Sequence, residues 1–397
     1  MRRALTLVLG AAAAAGGAPA YYTVTTLAGG GLAGNVSGSV NGRGTSALFY
    51  TPFGVAVSSV GTVYVADGSN NKVRSISPGG AVATLAGGGA DGKTPGAVNG
   101  VGTSALFNYP YCVAAASTRT VYVADTTNGR VRAIARGKKV TTLPFNFSYP
   151  YSVAAASFGT IYVADTNNNE VRAITPDGAF TLASGFNLPR GVAVDSAGTV
   201  YVADTNNNKV CVVSPGGAVA TLAGGGADGV TYGSADGVGS NALFWCPSGV
   251  AVDSEGVAVY VADFYNHKVR LISRGGAVVT IAGGGADGMT HGSVNGLGTA
   301  ALFFNPSGIA VDSVGTVYVA DCHNNKLRKL VPPTPTPSSK CTPSATSSPQ
   351  MTGTAAPSSP PSGTPLPSPS PPPSMTCTTA PSSPPSDTPL PSLSPLP

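Results

Sequence analysis

Several residue types are scarce in this chain of 397 residues, and each scarcity excludes a class of function. Glutamate occurs only twice, at Glu170 and Glu255, and 10% of residues are charged, which disfavours an enzyme whose metal is held by clustered carboxylates. Three histidines allow at most one histidine-bound metal site. The net charge of +5 is too small to indicate a nucleic-acid partner. After the first twenty residues there is no sustained helical periodicity and no long apolar run, so we expect no membrane-spanning helix.

One ten-residue pattern recurs along the chain. It reads YVADTNNNKV at residues 201–210, and similar copies begin at five other tyrosines, Tyr64, Tyr122, Tyr162, Tyr260 and Tyr318. Six copies of one unit are typical of a repeat architecture. Each copy lies within a longer repeat unit that contains four short runs rich in Val, Tyr and Thr. Gly, Pro, Asn, Asp or Ser residues separate these runs, which is the signature of strands and turns. In the fourth copy these runs are residues 190–195, 199–204, 209–214 and 218–223.

The repeat resembles the NHL family. Its pattern of Pro-x-Gly-Val-Ala-Val-Asp, Gly-x-Val-Tyr-Val-Ala-Asp and Asn-x-x-Val-Arg is matched closely at residues 247–270 and 306–328. The resemblance covers residues 22–331 and implies an all-β fold, a six-bladed β-propeller. The sixth copy lacks a fourth strand, and residues 22–27 match the fourth-strand pattern. We therefore expect this N-terminal strand to complete the last blade and close the ring, which removes an open sheet edge.

Four insertions of similar sequence separate some of the repeats. Each runs from Ala-Gly-Gly-Gly to Ala-Leu-Phe, and they occupy residues 28–49, 86–107, 223–244 and 282–303. In a four-stranded blade the connection between blades and the turn after the second strand lie on one face, which we call the loop-bearing face. We expect the insertions to collect there and to carry any binding function, because long loops on a rigid scaffold usually do. The first strands, which read Gly-Val-Ala-Val or Cys-Val-Ala-Ala, are expected to line the central channel without a charged or imidazole group.

The two ends of the chain differ from the repeats. Residues 1–20 contain two arginines, an apolar run and Ala-Pro-Ala, which predicts a secretory signal peptide. Residues 332–397 are rich in Pro, Ser and Thr, which predicts a disordered, O-glycosylated stalk similar to hydroxyproline-rich segments of algal or plant wall proteins. We expect a secreted protein, extracellular or associated with a cell wall. Cys341 and Cys377 in the stalk are expected to cross-link to another chain or to pair with each other.

The most conspicuous polar residues are the aspartates that end each second strand. We interpret them as structural, accepting backbone N–H bonds from the Asn-rich turn that follows. They are Asp67, Asp125, Asp165, Asp204, Asp263 and Asp321. Two sequons, at Asn35 and Asn146, predict N-glycosylation on loops. Cys246 and Cys322 fall on one face of adjacent blades, so they are candidates for a disulfide.

Three metal hypotheses follow from the remaining polar residues. His267, His291 and His323 fall in one sector of one face. The resemblance to NHL-type peptidyl-hydroxyglycine lyases implies a histidine-bound zinc there, which is the most specific of the three hypotheses. A calcium site in the Ala-Asp-Gly triplets lacks the close acidic spacing of a calcium loop. A site like that of gluconolactonases lacks glutamates. We therefore assign no catalytic residue and no cofactor.

Three functions remain open at this point. The favoured one is a secreted propeller that binds a protein or a glycan through its loop-bearing face. The alternatives are a metal-dependent propeller enzyme, of the lyase or the lactone-hydrolase type, and a structural wall protein in which the stalk is the working part. The fold alone does not decide between them.

Overall fold

The computed structural model describes residues 21–117 and 119–333, and these residues form six antiparallel sheets arranged in a ring. The first strand of each sheet contacts the first strands of the two neighbouring sheets, and the sixth contacts the first. The first strands therefore surround a central axis. The architecture is a six-bladed β-propeller, as the repeat pattern predicts, and we number the blades from 1 to 6 along the chain.

The four strands of each blade follow one another in sequence from the axis outward. The first strands are Pro52–Val57, Pro110–Ala115, Pro150–Ala155, Gly191–Val194, Pro247–Val252 and Pro306–Val311. The second strands are Val63–Asp67, Val121–Asp125, Ile161–Asp165, Val200–Asp204, Ala258–Asp263 and Val317–Asp321. The third strands are Lys72–Ile76, Arg130–Ile134, Glu170–Thr175, Lys209–Val213, Lys268–Ser273 and Lys326–Val331. The fourth strands of blades 1 to 5 are Ala81–Gly87, Lys139–Thr142, Gly178–Ser184, Val219–Gly224 and Ala277–Gly283.

The helical content of the described residues consists of single 3₁₀ turns. Five follow second strands, at Gly68–Asn70, Thr126–Asn128, Thr166–Asn168, Thr205–Asn207 and Cys322–Asn324. Four lie in the insertions, at Gly44–Ser46, Gly102–Ser104, Gly239–Asn241 and Gly298–Ala300, and one lies at Arg136–Lys138. No helix among these residues has the length and apolar character needed to cross a membrane.

The N-terminal strand closes the ring, and this prediction is confirmed. Thr23–Gly29 pairs antiparallel with Lys326–Val331, from Thr23 opposite Val331 to Gly29 opposite Lys326, with one bulge. Val24 on this strand is almost fully buried. The last blade is thus assembled from both ends of the repeat region, and its outer strand is not left unpaired.

The core lies between blades rather than within one of them. The second strand of blade 6, for example, buries Val319 in one cluster and Ala320 in the next. Both faces of a blade are covered by neighbours, so its strands are apolar on both sides instead of alternating with polar residues. This accounts for the Val-Tyr-Val-Ala runs of the repeat.

The insertions depart from the expectation in one respect. Both ends of each insertion lie on the loop-bearing face, but its middle runs down the outer edge of the following blade. In blade 1, Gly42–Arg43 pairs with Ala81 and Val82 of the fourth strand. The equivalent two-residue strands in blades 2, 5 and 6 are Gly100–Val101, Gly237–Val238 and Gly296–Leu297. Blades 1, 2, 5 and 6 therefore have five strands, whereas blades 3 and 4 have four.

Candidate functional site at the mouth of the central channel

The repeat aspartates are bound to the scaffold of their own blades. In blade 1, Asp67 accepts the backbone N–H of Tyr50 at 2.8 Å and the side-chain amide of Asn70 at 2.9 Å. The other five make the same two kinds of hydrogen bond. We expected the backbone donor to lie in the turn that follows the aspartate. It lies instead just before the first strand of the blade. Each carboxylate therefore ties the entry of a blade to the turn after its second strand.

A buried arginine joins this arrangement wherever a blade carries an insertion, and the sequence reasoning missed it. Its Nη1 lies 2.7 to 2.8 Å from the repeat carboxylate, and both side chains are fully buried. In blade 1 the same guanidinium donates to the carbonyls of Leu48 and Val40 of the insertion and packs 5.0 Å from the centre of the Phe49 ring. The four arginines are Arg74, Arg132, Arg270 and Arg328.

The two blades without an insertion lack this buried pair. In blade 3, Arg172 lies 3.8 Å from Asp165 and is 21% exposed. In blade 4 the equivalent position is Cys211, opposite Val202 in the sheet register. The signal was present in the sequence as the Asn-x-x-Val-Arg motif, but its partners across the insertion could not be inferred from spacing. The arginine is therefore the clamp that holds an insertion on its blade.

His267 takes the structural place of an asparagine. It ends the turn of blade 5 in the left-handed region, at φ 56°, and its Nδ1 accepts the backbone N–H of Asn305 at 3.2 Å. In blade 1 the corresponding Asn71 accepts the N–H of Tyr109 in the next blade at 2.8 Å. Burial, together with the smaller effect of the nearby His291 and His323, lowers the pKa of His267 to about 4. The unprotonated ring therefore links blade 5 to blade 6.

The three histidines are brought together around Phe304. Its ring centre lies 5.7, 4.5 and 5.0 Å from those of His267, His291 and His323. Within residues 21–117 and 119–333, no group of three His, Cys, Asp or Glu side chains is spaced to hold a metal ion. The contact that the three histidines share is an aromatic ring.

The aspartates of the Ala-Asp-Gly triplets bond within their own loops. Asp287 accepts the backbone N–H groups of Met289 and Thr290 and the hydroxyl of Thr290, at 2.7 to 3.0 Å. These hydrogen bonds, the one from Met289 first, lower its pKa to about 2. Asp91 and Asp228 do the same in their loops. These carboxylates stabilise the turns of the insertions.

The expected disulfide between Cys246 and Cys322 does not form, since both thiols are free. Cys322 is fully buried in a cluster with Phe53 and Tyr111, and burial raises the pKa of its thiol. Cys246 is only partly buried and immediately precedes the first strand of blade 5. The two cysteines therefore occupy different environments.

Other predicted features lie on the surface or outside the described residues. Asn35 and Asn146, the two sequon asparagines, are both exposed. The predicted signal peptide at residues 1–20, nearly all of the predicted stalk from 334 onward, and Cys341 and Cys377 fall outside the described residues.

The expectation of an uncharged channel is wrong. A cavity with an empty volume of about 440 Å³, part of it open solvent, lies among all six first strands. It is lined by the residue that follows the proline of each blade, and these six are Phe53, Tyr111, Tyr151, Arg190, Ser248 and Ser307. Our expectation considered only the Gly-Val-Ala-Val positions and overlooked the residue before the glycine. The six equivalent positions carry aromatic, cationic and hydroxyl groups, so the mouth of the channel is asymmetric.

In blades 1, 4, 5 and 6 a glycine follows the mouth residue and brings neighbouring first strands close together, whereas blades 2 and 3 carry Cys112 and Ser152 at this position. A Cβ on Gly54 would lie 2.6 Å from the carbonyl oxygen of Tyr111 in the next blade. Because real Cβ atoms do not approach so closely, this position requires glycine. Equivalent close contacts at Gly191, Gly249 and Gly308 fix the spacing of these first strands around the axis.

Arg190 is the charged group of this cavity. It has no ion pair within 4.0 Å among the described residues, and its Nε is buried without a hydrogen-bond partner. Its guanidinium carbon lies 5.4 Å from the centre of the Tyr151 ring. The clamp arginines also have an unpartnered Nε, but each of them pairs with a carboxylate through its Nη atoms. Arg190 is therefore a partly buried cation without an anion.

Hydroxyl groups lie beside Arg190. Ser307 donates to the Tyr111 hydroxyl oxygen at 3.4 Å, and Ser248 lies 3.4 Å from Ser307. Tyr111 stacks on the ring of Phe53, with ring centres 4.3 Å apart, and packs at a tilt against the ring of Tyr151, whose centre lies 4.4 Å away. Burial raises the pKa of Tyr111 to about 12, so it keeps its proton at neutral pH. A rigid phenol thus stands next to the unpaired guanidinium.

The insertions form an arc around this mouth that leaves one sector open. Serine hydroxyls of three insertions donate to glycine carbonyls of the next, from Ser234 to Gly288, from Ser293 to Gly34 and from Ser39 to Gly92. The arc therefore runs over blades 5, 6, 1 and 2. Blades 3 and 4, which carry Tyr151 and Arg190, have no such layer. The cation and its aromatic neighbour lie in the open sector.

Comparisons with known proteins identify the repeat. The family model described as the NHL repeat matches residues 186–213, 244–270 and 303–330. The chain is 36% identical over 100 residues to the protein SUPPRESSOR OF QUENCHING 1, chloroplastic, of Arabidopsis thaliana, and 34% identical over 117 residues to NHL repeat-containing protein 2 of Gallus gallus. These alignments cover 25% and 28% of this chain, but only 9% and 16% of the two relatives.

Solved structures share the fold at low sequence identity. An auxiliary nutrient binding protein from Bacteroides thetaiotaomicron has a TM-score of 0.64 and 17% identity, covering 79% of this chain and 77% of its own. A gluconolactonase from Xanthomonas campestris has a TM-score of 0.53 and 13% identity, over 79% and 90%. A streptogramin B lyase has a TM-score of 0.51 and 16% identity, over 78% and 97%. At these identities the likeness concerns the fold alone.

Proposed function

Because the chain is an NHL-repeat β-propeller with an asymmetric cavity on its axis, we propose that it is a secreted binding protein whose ligand docks on the loop-bearing face. The observation that carries this proposal is the difference among six equivalent mouth residues. A purely structural ring has no need of such differences, whereas recognition of one ligand requires them. A partner of this face is a protein or a glycan of the extracellular space.

The surroundings of the mouth support the same face. Tyrosines are exposed there, next to the channel and on the arc, and they are Tyr50, Tyr109, Tyr149, Tyr232 and Tyr265. Aromatic side chains supply large contact areas at low entropic cost and are enriched in binding surfaces. The auxiliary nutrient binding protein shows that a propeller of this shape serves in binding.

Secretion and tethering complete the proposal. Residues 1–20 would direct export, and residues 332–397 would hold the propeller away from a wall or matrix as an extended stalk. Deleting residues 338–397 should release the protein from the wall fraction and leave ligand capture unchanged. Loss of capture in this truncated protein would assign the binding to the stalk instead.

A lyase or lactonase function gains no support from the site. The structural likeness to such enzymes is one of fold, and the described residues include no metal-holding cluster of His, Cys, Asp or Glu. We propose no catalytic residue.

The test is capture of partners from an extracellular extract by the immobilised protein. It compares a double variant on the loop-bearing face with a double variant on the opposite face. A double variant of the loop-bearing face, Tyr50→Ser with Tyr149→Ser, should lose about tenfold or more of the captured partner, because each change removes a contact of a few kcal/mol at most. A control on the opposite face, Val60→Ser with Phe158→Ser, removes comparably exposed apolar groups and should capture normally. Equal capture by both double variants, or loss only in the control, would overturn the proposal.

A further inference from the structure

We propose, building on the binding function above, that Arg190 is the recognition site for the carboxylate of a small organic acid or of an acidic sugar residue. The cavity on the propeller axis would hold this group, with Arg190 and Tyr111 as its hydrogen-bond donors. The rest of the ligand would leave through the sector of blades 3 and 4.

The charge of each of the four clamp arginines is balanced by an aspartate, whereas Arg190 has no ion pair within the part of the chain that the structure describes. In blades 1, 2, 5 and 6 the buried arginine is paired with a buried aspartate. Arg190 has no such partner, although its Nε is buried. Arg190 is only partly withdrawn from water, and an external anion would complete the pair that the protein leaves open here. The missing partner is an anion.

The geometry of the cavity fits a carboxylate. The guanidinium lies over the face of Tyr151, and stacking of this kind leaves the N–H groups along its edge free to donate. Ser307 donates to the Tyr111 oxygen, so this contact does not use the phenolic hydrogen of Tyr111 as a donor. Two kinds of donor therefore converge on one cavity. A carboxylate accepts a bidentate pair from arginine and a further hydrogen bond from a phenol.

The wall of the cavity favours one class of anion. The aromatic rings of Phe53, Tyr111 and Tyr151 form one wall of the cavity. Such a wall suits the carbon skeleton of an organic acid better than a fully hydrated phosphate or sulfate ion.

The experiment measures binding of benzoate and galacturonate to the full-length secreted protein by calorimetry and by the shift of the thermal unfolding midpoint. Benzamide, the neutral counterpart of benzoate, and inorganic phosphate are the comparison probes. We expect the carboxylates to bind and to raise the midpoint, because a ligand that binds only the folded state stabilises it. Benzamide and phosphate should bind at least about tenfold more weakly than the better carboxylate.

Three variants locate the site. Arg190→Gln should weaken carboxylate binding about tenfold or more, and Tyr111→Phe should weaken it several-fold while keeping its ring stacking. Arg119→Gln changes the net charge equally at an exposed position in a turn on the opposite face, and should bind normally. Without a probe, Arg190→Gln should unfold at an unchanged or higher midpoint, since it removes an unpaired cation; a clearly lower midpoint would assign Arg190 to the scaffold and contradict the proposal.

The remaining outcomes are decisive as well. Unchanged carboxylate binding by Arg190→Gln, no binding of either carboxylate at millimolar concentration, or equal binding of phosphate would each overturn the carboxylate site. If capture of the extracellular partner still depends on the loop-bearing face in that case, the binding function stands and only the ligand class is wrong. If the protein captures no extracellular partner while benzoate binding depends on Arg190, the carboxylate site stands and the proposed capture of a partner by the loop-bearing face is wrong.

Discussion

At the scale of single residues, the clamp arginines should matter in proportion to their burial. Arg270 lies 2.7 Å from Asp263, and both side chains are fully buried. Replacing it by methionine keeps the volume but leaves a buried carboxylate without its partner. We expect Arg270→Met to lower the free energy of unfolding by about 3–5 kcal/mol. Denaturation by urea measures this loss.

The matched control is the same change in blade 3. Arg172 is partly exposed and lies 3.8 Å from Asp165, so Arg172→Met should cost only about 1 kcal/mol. The natural Cys211 at this position of blade 4 shows that a blade without an insertion can form without the arginine. Equal losses in the two variants would contradict the assignment of the arginine as a clamp for the insertions.

His267 makes a pH-dependent contribution to stability. Its pKa is about 4 in the folded protein and near the ordinary 6.5 in the unfolded chain, so the unfolded chain binds more protons between these values. The contribution is fully present above pH 6.5 and is lost as the pH falls towards 4. His267→Asn keeps an acceptor for Asn305, as Asn71 does for Tyr109, and cannot titrate in this range.

We therefore expect the midpoints of the two proteins to diverge on acidification. Wild type should lose more stability than His267→Asn between pH 6.5 and 4, while the two should be similar at neutral pH. Thermal unfolding at a series of pH values is the measurement. Parallel curves over this range would show that His267 does not titrate between the folded and unfolded states.

The sequence predicted residues at this scale unevenly. Repetition identified the six aspartates and placed the three histidines in one sector, because equivalent positions of a repeat share their location. It could not reveal that Arg74 also donates to Val40 and Asn41, which lie 34 and 33 residues away in an insertion, because these contacts depend on how that insertion folds back. Arg190 was overlooked because its neighbours in the motif, Gly191 and Val192, suggested an apolar channel.

At the scale of elements, the closing strand should be as sensitive as an interior strand. Val24 is almost fully buried between blades, whereas Thr25 on the same strand is exposed. Val24→Asp places a carboxylate in the core and should cost about 3 kcal/mol or more. Thr25→Asp should cost less than about 1 kcal/mol, since a surface substitution usually changes little. Chemical denaturation compares the two variants.

A small and equal effect of both substitutions would show that residues 23–29 are not part of the cooperative unit. Deletion of residues 21–28 provides a second check, because it should open the ring and lower the unfolding midpoint strongly. An unchanged midpoint would contradict closure by the N-terminal strand.

The elements themselves were largely predictable. The runs rich in Val, Tyr and Thr and the turn residues between them predicted all four strands of a blade, because each run must end where Gly, Pro or Asn interrupts it. The path of the insertions was not predictable. Their glycine-rich sequence contains no strand-like run, and the pairing of Gly42–Arg43 depends on an outer edge that exists only after blade 1 has formed.

At the scale of the whole molecule, function would come from broken symmetry. The six blades repeat one scaffold, but an arc of insertions over four of them leaves a sector of two blades open. The six mouth residues are of four types, and the unpaired cation lies in that open sector. The six repeated blades provide a rigid scaffold. The insertions and mouth residues that differ between blades would provide the binding surface.

The most direct measurement is photo-crosslinking in an extracellular extract. A benzophenone amino acid replaces either Tyr109, which is exposed on the loop-bearing face and packs 5.3 Å from Phe53 at the channel mouth, or Phe158, which is exposed in a turn of the opposite face. We predict a specific adduct from position 109 and none from position 158. An adduct formed from position 158, with none from position 109, would contradict binding at the loop-bearing face.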